Sequence, residues 1–571
     1  MNGAQGLMPA IWVAISVHAA AAQTVSLSFV DRSTGLHLPG MEGGRTEFEF
    51  ADLNGDGHLD LVSIGDHGSP FVNSNQSGIM VWFGNGLGVW SHYQTGYFGY
   101  GGISIADVNN DGLLDAAYGM HHDWSSNDFG NQVLEVALGD GTGRNWTPWD
   151  DGLGQHGQSW GMFSTDLADI DNDGLLDVGS VAFGCCDGVH VHRNNGDGTW
   201  PRTFGFLGGN SSMEFHFGDF NADGNADFAA SHGAGTVYLG DGTGAFVLAD
   251  GNLGGGPWRS GLSIGDVDGD EREEIAWTSS GALHVWKMIA PGQWQNLSGN
   301  LSSIGVSYHR TQIADMDLDG SGEVIAYRPG QVDIYGRDGS GGWSLFAQIV
   351  TPEGCGNAAA LRTGADADHN GYPDIVTVAE ENCHWWTGGT NRPRFYANAS
   401  APEQAWVHPV YPRGGQTFIA GQTRFVRWHA AIPEGDRVGG MPTMTIELST
   451  AGPNGPWSEV AAGVPSNGRF QWLLPASLPS TTNAHLRFTL ATNPPASAVT
   501  PGPFTILGVD CPSPDCPADW NCDGDVNTLD VLAFLNAWVN GDERADLNMD
   551  GEVNTLDVLA FLNSWTAGCG G

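Results

Sequence analysis

Between Ala51 and Asp60 the chain places oxygen-bearing side chains at alternate positions, Asp52, Asn54 and Asp56, then Asp60, with Gly57 at a turn. The arrangement returns six times: Asp107, Asn109, Asp111 and Asp115; Asp169, Asp171, Asp173 and Asp177; Asp219, Asn221, Asp223 and Asp227; Asp266, Asp268, Asp270 and Glu274; Asp315, Asp317, Asp319 and Glu323; Asp366, Asp368, Asn370 and Asp374. Successive first acids lie 47 to 62 residues apart. One copy reads as a polar Asp-Gly turn. Seven at a near-constant period read as a repeated chemical device. Alternate oxygens on a tight loop suit a hard cation such as calcium, which takes about six to eight oxygens at short range. Up to seven calcium ions are expected here. The loops at Asp266 and Asp315 depart from the pattern, because Glu271 stands at the turn glycine and Glu274 and Glu323 replace the closing Asp.

A second acidic device lies near the C-terminus. Asp519, Asn521, Asp523, Asn527 and Asp530, then Asp546, Asn548, Asp550, Asn554 and Asp557, follow the spacing of a twelve-residue calcium loop, with Gly524 and Gly551 at the sixth position. Asp replaces the usual bidentate Glu at the twelfth. Each loop leads into the same run, Val526 to Asn536 and Val553 to Asn563, 27 residues apart. In the first copy Val531, Phe534, Leu535 and Trp538 share one helical face. Two further calcium ions are expected.

These nine loops account for 30 of the 65 acidic residues and so for much of the net charge of −44. Nine divalent ions would bring it to about −26. Such a balance argues against nucleic acid or an anionic membrane as partner.

The elements that must position the seven loops are short strands. One enters each loop, a second leaves it, as from Asp60 to Ile64, and a third follows, as from Ile79 to Phe83. Gly-rich turns such as Gly139 to Gly143 lead to a fourth. The 86 glycines and 22 tryptophans fit strands and tight turns better than helices. Four strands in about 50 residues make one propeller blade, and seven blades close a ring. Residues 402–508 lose the acidic loops and alternate in strand fashion, as from Phe425 to Trp428 and from Met444 to Leu448, which predicts a separate β domain. Residues 1–22, apolar from Leu7 and ending Ala20, Ala21, Ala22, read as a secretory signal peptide lacking a basic start. No other segment is apolar and long enough for a transmembrane span. A secreted, extracellular or cell-surface setting is oxidising, so the eight cysteines read as mostly paired. Cys355 with Cys383 is one option, and Cys185 and Cys186 are either a vicinal disulfide or free thiols.

The seven repeats resemble the FG-GAP/VCBS family, whose calcium-loop propellers occur in integrin alpha chains and bacterial secreted proteins. Residues 402–508, through Gly414 to Phe418, Ala420 to Thr423 and Val426 to Trp428, resemble bacterial Ig-like or fibronectin-like spacer domains, which implies a β-sandwich serving as a spacer, with a sugar-binding module as the second reading. The paired loops and helices of 509–571 are similar to dockerin domains. That resemblance implies a cohesin-like partner, met through Thr528 and Leu529 or Thr555 and Leu556 at the helix starts. The expected architecture is mainly β: a seven-bladed β-propeller over 23–398, a β-sandwich, then a small α-helical EF-hand-like (dockerin) module.

In a propeller of this topology the acidic loops share one face, and the opposite face is the usual ligand face. There the sequence places His121, His122, Trp124, Trp160, Trp258, Arg259, Tyr308 and His309, suited to stacking on a glycan or binding another cell-surface ligand. On the innermost strands Glu49, Ser104, Asp166, His216, Ser263, Gln312 and Thr363 alternate with apolar residues and should face a central channel. Glu49, Asp166 and His216 could form an acid–base cluster there. Adhesion or glycan binding is the first functional reading. A polysaccharide-degrading enzyme, lyase or glycoside hydrolase, is the second, resting on family analogy alone, since no nucleophile elbow, zinc-binding His pair or phosphate loop appears.

Overall fold

The computed structural model describes residues 27–36, 47–64, 79–93, 101–120, 132–153, 162–182, 188–206, 211–255, 259–353, 360–384 and 388–508; of the C-terminal module it describes 518, 520, 526, 528–539, 545, 547–548 and 553–568. The signal peptide lies outside the described residues. So does the cysteine pairing, since no cysteine side chain is described.

Seven antiparallel four-stranded sheets follow one another. Blade 1 runs Phe48–Ala51, Asp60–Ile64, Ile79–Gly84 and Trp90–His92. Blades 2 to 6 repeat this order, with innermost strands Gly101–Ala106, Met162–Ala168, Ser211–Gly218, Ser260–Gly265 and Arg310–Ala314. Blade 7 is built differently. Ala360–Thr363, Ile375–His384 and Gly388–Asn398 supply three strands, and the N-terminal strand Phe29–Asp31 is the fourth, with Phe29 opposite Asn398. The start of the ring is thereby clasped to its end.

Seven apolar cores, one between each pair of neighbouring blades, hold the ring. Blades 1 and 2 meet through Ile64, Val81, Ile105 and Tyr118, and blades 7 and 1 through Phe48, Trp82, Trp90 and Phe395. Four of the tryptophans share one use. At the outer strands Trp90, Trp294 and Trp343, and Trp200 just before the outer strand of blade 3, bury the indole and donate its N–H to a backbone carbonyl at the preceding blade, that of Arg32, Ala249, Leu297 and Trp149 respectively. A large apolar ring with one satisfied polar edge suits this seam.

Residues from Trp406 to Leu507 form a sandwich. A three-stranded sheet (Trp406–Tyr411, Thr423–Ala431, Arg469–Leu473) packs on a larger one containing Thr443–Ser449, Thr481–Leu490 and Phe504–Leu507. Phe418, Trp428, Trp472 and Phe488 fill the space between them. The sandwich lies on the acidic-loop face of the ring and meets every loop. Met441 packs on Gly57, and Asn467 hydrogen-bonds Asp52. Gln471 both donates to Asp107 O (2.7 Å) and accepts from Asp107 N (3.1 Å). Thr423 N donates to Asp169 Oδ2 (2.8 Å), Thr417 Oγ1 to Ala222 O (3.1 Å) and Gln416 Nε2 to Glu271 Oε2 (2.8 Å). Arg413 stands beside Gly320, and Ile432 N donates to His369 O (2.9 Å). A spacer would leave this face open, whereas this sandwich covers it.

Among the described residues the last module shows two α-helices, α1 (Thr528–Val539) and α2 (Thr555–Ala567). Phe534 and Phe561 stack at 4.2 Å with Trp520 against their edges. Among the described residues no helix is long and apolar enough to cross a membrane.

Candidate functional site: acidic loops and a covered central cavity

Each propeller loop folds around its own carboxylates. In loop 1, Asp52 accepts from the N–H of Asp56 (3.0 Å) and of Gly57 (2.9 Å), and Asn54 also accepts from Asp56 N (3.0 Å). The closing Asp60 is fully buried and accepts from Leu53 N and Gly84 N, both at 3.0 Å. This draws the second-strand start onto the loop. Such winding needs left-handed backbone at the fourth and sixth positions, and all seven loops have it there, from Gly55 (φ 69°) and Gly57 (φ 86°) to His369 (φ 59°) and Gly371 (φ 94°). Neighbouring loops are also laced together: Asn110 Nδ2 donates to Gly174 O (3.2 Å), Asn172 Nδ2 to Asn225 Oδ1 (3.0 Å), and the His58 and His369 rings meet at 3.0 Å.

The donor set suits a hard cation. Carboxylate oxygens of Asp169, Asp171 and Asp177, of Asp315, Asp317 and Glu323, and of Asp366, Asp368 and Asp374 lie within 4.8 Å of one another, as do those of Asp266, Asp268 and Glu274. Asp171 Oδ1 is buried with no hydrogen-bond partner. Burial pushes the closing carboxyls up, Asp60 and Asp227 to about 8, Asp115 to about 7 and Glu323 to about 9. Carboxylates so placed require a neutralising cation or a proton. In the C-terminal module Asp530 and Asp557 play the closing part: both are fully buried, Asp530 accepts from Trp520 N (2.8 Å), and Asp557 accepts from Asn548 N (3.1 Å) and Asn554 N (2.8 Å). Asn554 caps α2 through Leu556 N, completing a capping box. Asp519, Asn521, Asp523, Asn527, Asp546 and Asp550 lie outside the described residues.

Between ring and sandwich is a cavity of about 500 Å³. Glu49, Ser104, Asp166, His216, Ser263, Gln312 and Thr363 all line it, as their alternation requires. Arg413, Arg424, Arg427 and Arg469 of the sandwich close one end, bringing positive charge over the acidic loops. Glu49, Asp166 and His216 do come together, but around a cation: Arg362 pairs with Glu49 at 2.7 Å and is drawn toward Asp166 and Glu47. Asp166 Oδ2 is taken by Phe217 N (2.9 Å), and His216 Nε2 lies 3.2 Å from Leu262 O. Burial pushes the neighbouring Glu47 up to about 8, against a 2.5 Å hydrogen bond from Ser164.

Two residues expected on the ligand face are instead structural. Arg259 is buried (3 % exposed), pairs with Asp250 at 3.3 Å, donates to Leu253 O, Gly254 O and Thr236, and lies over the Trp277 ring. Tyr308 is 5 % exposed, and its hydroxyl is held by Asp333 (2.5 Å) and Tyr335 (2.9 Å). Both side chains turn inward, Arg259 onto Trp277 and Tyr308 into the core between blades 5 and 6. His309 is half-buried, its N–H on Tyr327 O. His121, His122, Trp124, Trp160 and Trp258 lie outside the described residues.

Fold and loops together define a class: a seven-bladed β-propeller with an acidic loop in every blade, a covering sandwich and a two-helix terminal module. A family profile described as FG-GAP-like repeat matches residues 52–118, and one described as Dockerin type I domain matches residues 517–563. The chain thus carries FG-GAP-like repeat sequence in its propeller and a type I dockerin domain at its C-terminal end. No curated protein matches it. Similar solved structures include an Agrocybe aegerita lectin described as recognising non-reducing terminal N-acetylglucosamine (21 % identity, 54 % of this chain and 80 % of that one, TM-score 0.39). Others are the BP39L lectin from Burkholderia pseudomallei (12 %, 60 % and 94 %, 0.39) and BBS1N in complex with ARL6DN (12 %, 66 % and 98 %, 0.39).

Proposed function

We propose that this is a secreted or surface-attached calcium-binding propeller protein for adhesion or glycan binding, tethered through its dockerin to a cohesin-type partner. In this reading a signal peptide (1–22) precedes the propeller (23–398), an Ig- or fibronectin-like sandwich (402–508) and the dockerin (509–571). Calcium fills propeller loops and the two dockerin loops. The observation that carries the reading is the covering of all seven acidic loops by the sandwich. Ions held under a lid are structural, which leaves the opposite rim of the ring, the face to which the sequence assigns Trp124, Trp160, Trp258, His121, His122 and His309, to meet a ligand. Cohesin recognition falls to the duplicated helix starts, where Thr528 is exposed and Leu556 is 57 % exposed. Retention of the calcium-loaded protein on a glycan panel, together with capture by cohesin modules from the same organism, tests both halves. No retention on any glycan removes the first, and no capture removes the second.

One observation favours the enzymatic alternative, the gathering of Glu49, Asp166 and His216 in the cavity. New reducing ends or unsaturated products on incubation with polysaccharides, lost in Asp166→Asn, would establish it.

A further inference from the structure

Six propeller loops share one internal pattern and the fifth does not. In the six, the first carboxylate gives one oxygen to the N–H of the fifth position and the other to that of the sixth. Asp315 accepts from Asp319 N (3.0 Å) and Gly320 N (2.9 Å), and Asp366 from Asn370 N (3.0 Å) and Gly371 N (2.7 Å). In loop 5 Asp266 Oδ1 turns instead to the N–H of Asp268 (3.0 Å) and Gly269 (2.7 Å), while Oδ2 accepts from Glu271 N (2.7 Å). The third-position side chain changes partner as well. Both oxygens of Asp268 accept from Lys287 Nζ, each at 2.9 Å. The same ammonium lies 2.5 Å from Asp270 Oδ2 and 3.7 Å from Glu274 Oε1.

Lys287 therefore meets the third, fifth and closing acids of the loop at once. Its side chain is 12 % exposed, and the Glu274 oxygen it faces is buried without a hydrogen bond. Sheet register explains how it arrives. Lys287 stands directly opposite Glu274 on the third strand of blade 5. Extending the registers of the other blades by one residue puts Phe83, Leu138, Leu239, Gly336 and Ala397 opposite the closing acids, none of which carries charge. Blade 3 alone has another cation there, Arg193, and it does not enter. It is 46 % exposed, reaches Asp171 only at 3.5 Å and hydrogen-bonds Asn195. The other Asp171 oxygen stays buried and unpartnered, which leaves that loop with room for an ion.

Loop 5 departs at the sixth position too. Glu271 holds the left-handed backbone (φ 69°) that glycine holds in the other six, and its carboxylate is engaged by the sandwich through Arg413 (3.4 Å) and Gln416 (2.8 Å). An ammonium is a compact unit charge with three donors, able to satisfy several carboxylates at ordinary hydrogen-bond distance. A divalent ion in the same loop would need oxygens within about 2.3–2.6 Å of itself, beside that ammonium, and like charges repel strongly at such range. Although its acids are spaced for a metal, this loop does not fit one. We propose that loop 5 binds no metal, and that Lys287 is its resident cation, covalently built in where the other loops take an ion.

The proposal rests on the reading that the other loops bind calcium, so the test has two arms. In the first, native mass spectrometry counts ions on the intact full-length chain at saturating calcium. Asp268→Asn with Asp270→Asn should keep the parent ion number, whereas Asp317→Asn with Asp319→Asn in loop 6 should lose one. Loss of one ion from the loop 5 variant overturns the proposal. In the second, hydrogen exchange is followed in chelator. Residues 266–274 of the parent should hold their protection while 315–323 lose it by tenfold or more, and Lys287→Met should expose 266–274 to the same extent. Equal loss in both loops of the parent, or no effect of Lys287→Met, overturns it. A parent that takes up no calcium at all sinks the calcium reading, and the Lys287→Met exchange result still decides whether the lysine holds the loop.

Discussion

On the proposed calcium reading, chelation should loosen the whole ring. Each loop gathers carboxylates that are buried or crowded, Asp60, Asp115, Asp227 and Asp374 being fully buried. Without an ion these repel one another or take up protons. A ligand that binds only the native state stabilises it by RT ln(1 + [L]/Kd), about 1.4 kcal/mol for a site held at ten times its Kd. Six such loops, leaving out the fifth, sum to about 8 kcal/mol. The ring from Phe29 to Asn398 spans 370 residues. At roughly 2.1 cal/mol/K of unfolding entropy per residue, its melting entropy is about 0.8 kcal/mol/K, so complete chelation should lower Tm by about 10 °C. Differential scanning calorimetry of the full chain in calcium, in chelator, and in chelator followed by excess calcium or magnesium measures this directly. Calcium should restore the melt. Magnesium should not, because it demands a smaller octahedral site. An unchanged transition in chelator would refute the reasoning.

Cohesin binding should survive substitution of Thr528 and Leu529 alone, or of Thr555 and Leu556 alone, and vanish when both pairs are changed, because the duplicated helix starts offer one surface twice; abolition by a single pair, measured by surface plasmon resonance, would remove the two-fold reading. Trp124→Ala combined with Trp160→Ala should cut glycan retention about tenfold, about 1.4 kcal/mol, with the calcium-dependent melt intact, while a collapsed melt would show those rings to be core. Glu47 should impose a pH dependence. Its folded pKa is raised to about 8 by burial, so its contribution to stability is complete below the ordinary carboxylate range near 4.5 and is lost as pH rises through about 8. Glu47→Gln should flatten the fall in Tm between pH 5 and pH 8, and parallel curves for variant and parent would assign that fall to other groups.

Much of the propeller was legible because its signals are local. From first to closing acid an acidic loop is nine consecutive residues, and glycine at the sixth position of six loops marks the left-handed backbone there, whereas Ala222, Leu318 and His369 at the fourth give no such sign. The inner-strand alternation was legible for the same reason, and it puts Glu49, Asp166 and His216 in the cavity. What escaped depends on partners distant in sequence. Nothing local in Thr423, Gln471 or Arg469 says that they will meet loops or inner strands some 250 or 364 residues earlier. Arg259 and Tyr308 look like surface residues until Asp250 and Asp333 are found beside them, so the ligand-face reading overreached there. Lys287 needed the strand register. Counting thirteen residues on from Glu274 gives no hint that the two stand opposite each other. The clasp of Phe29–Asp31 on blade 7 joins segments more than 360 residues apart, beyond any periodicity.

The contact of the sandwich with every loop also governs how the molecule carries load. A domain joined to a ring only by a peptide linker would pull on the last blade, and that blade could peel away strand by strand. Here the grip of the sandwich is spread around the whole rim. Tension arriving from the C-terminal side is divided among seven attachment points before any one blade is strained. The N-terminal clasp at Phe29–Asp31, on the outer edge of blade 7, is not among those attachment points.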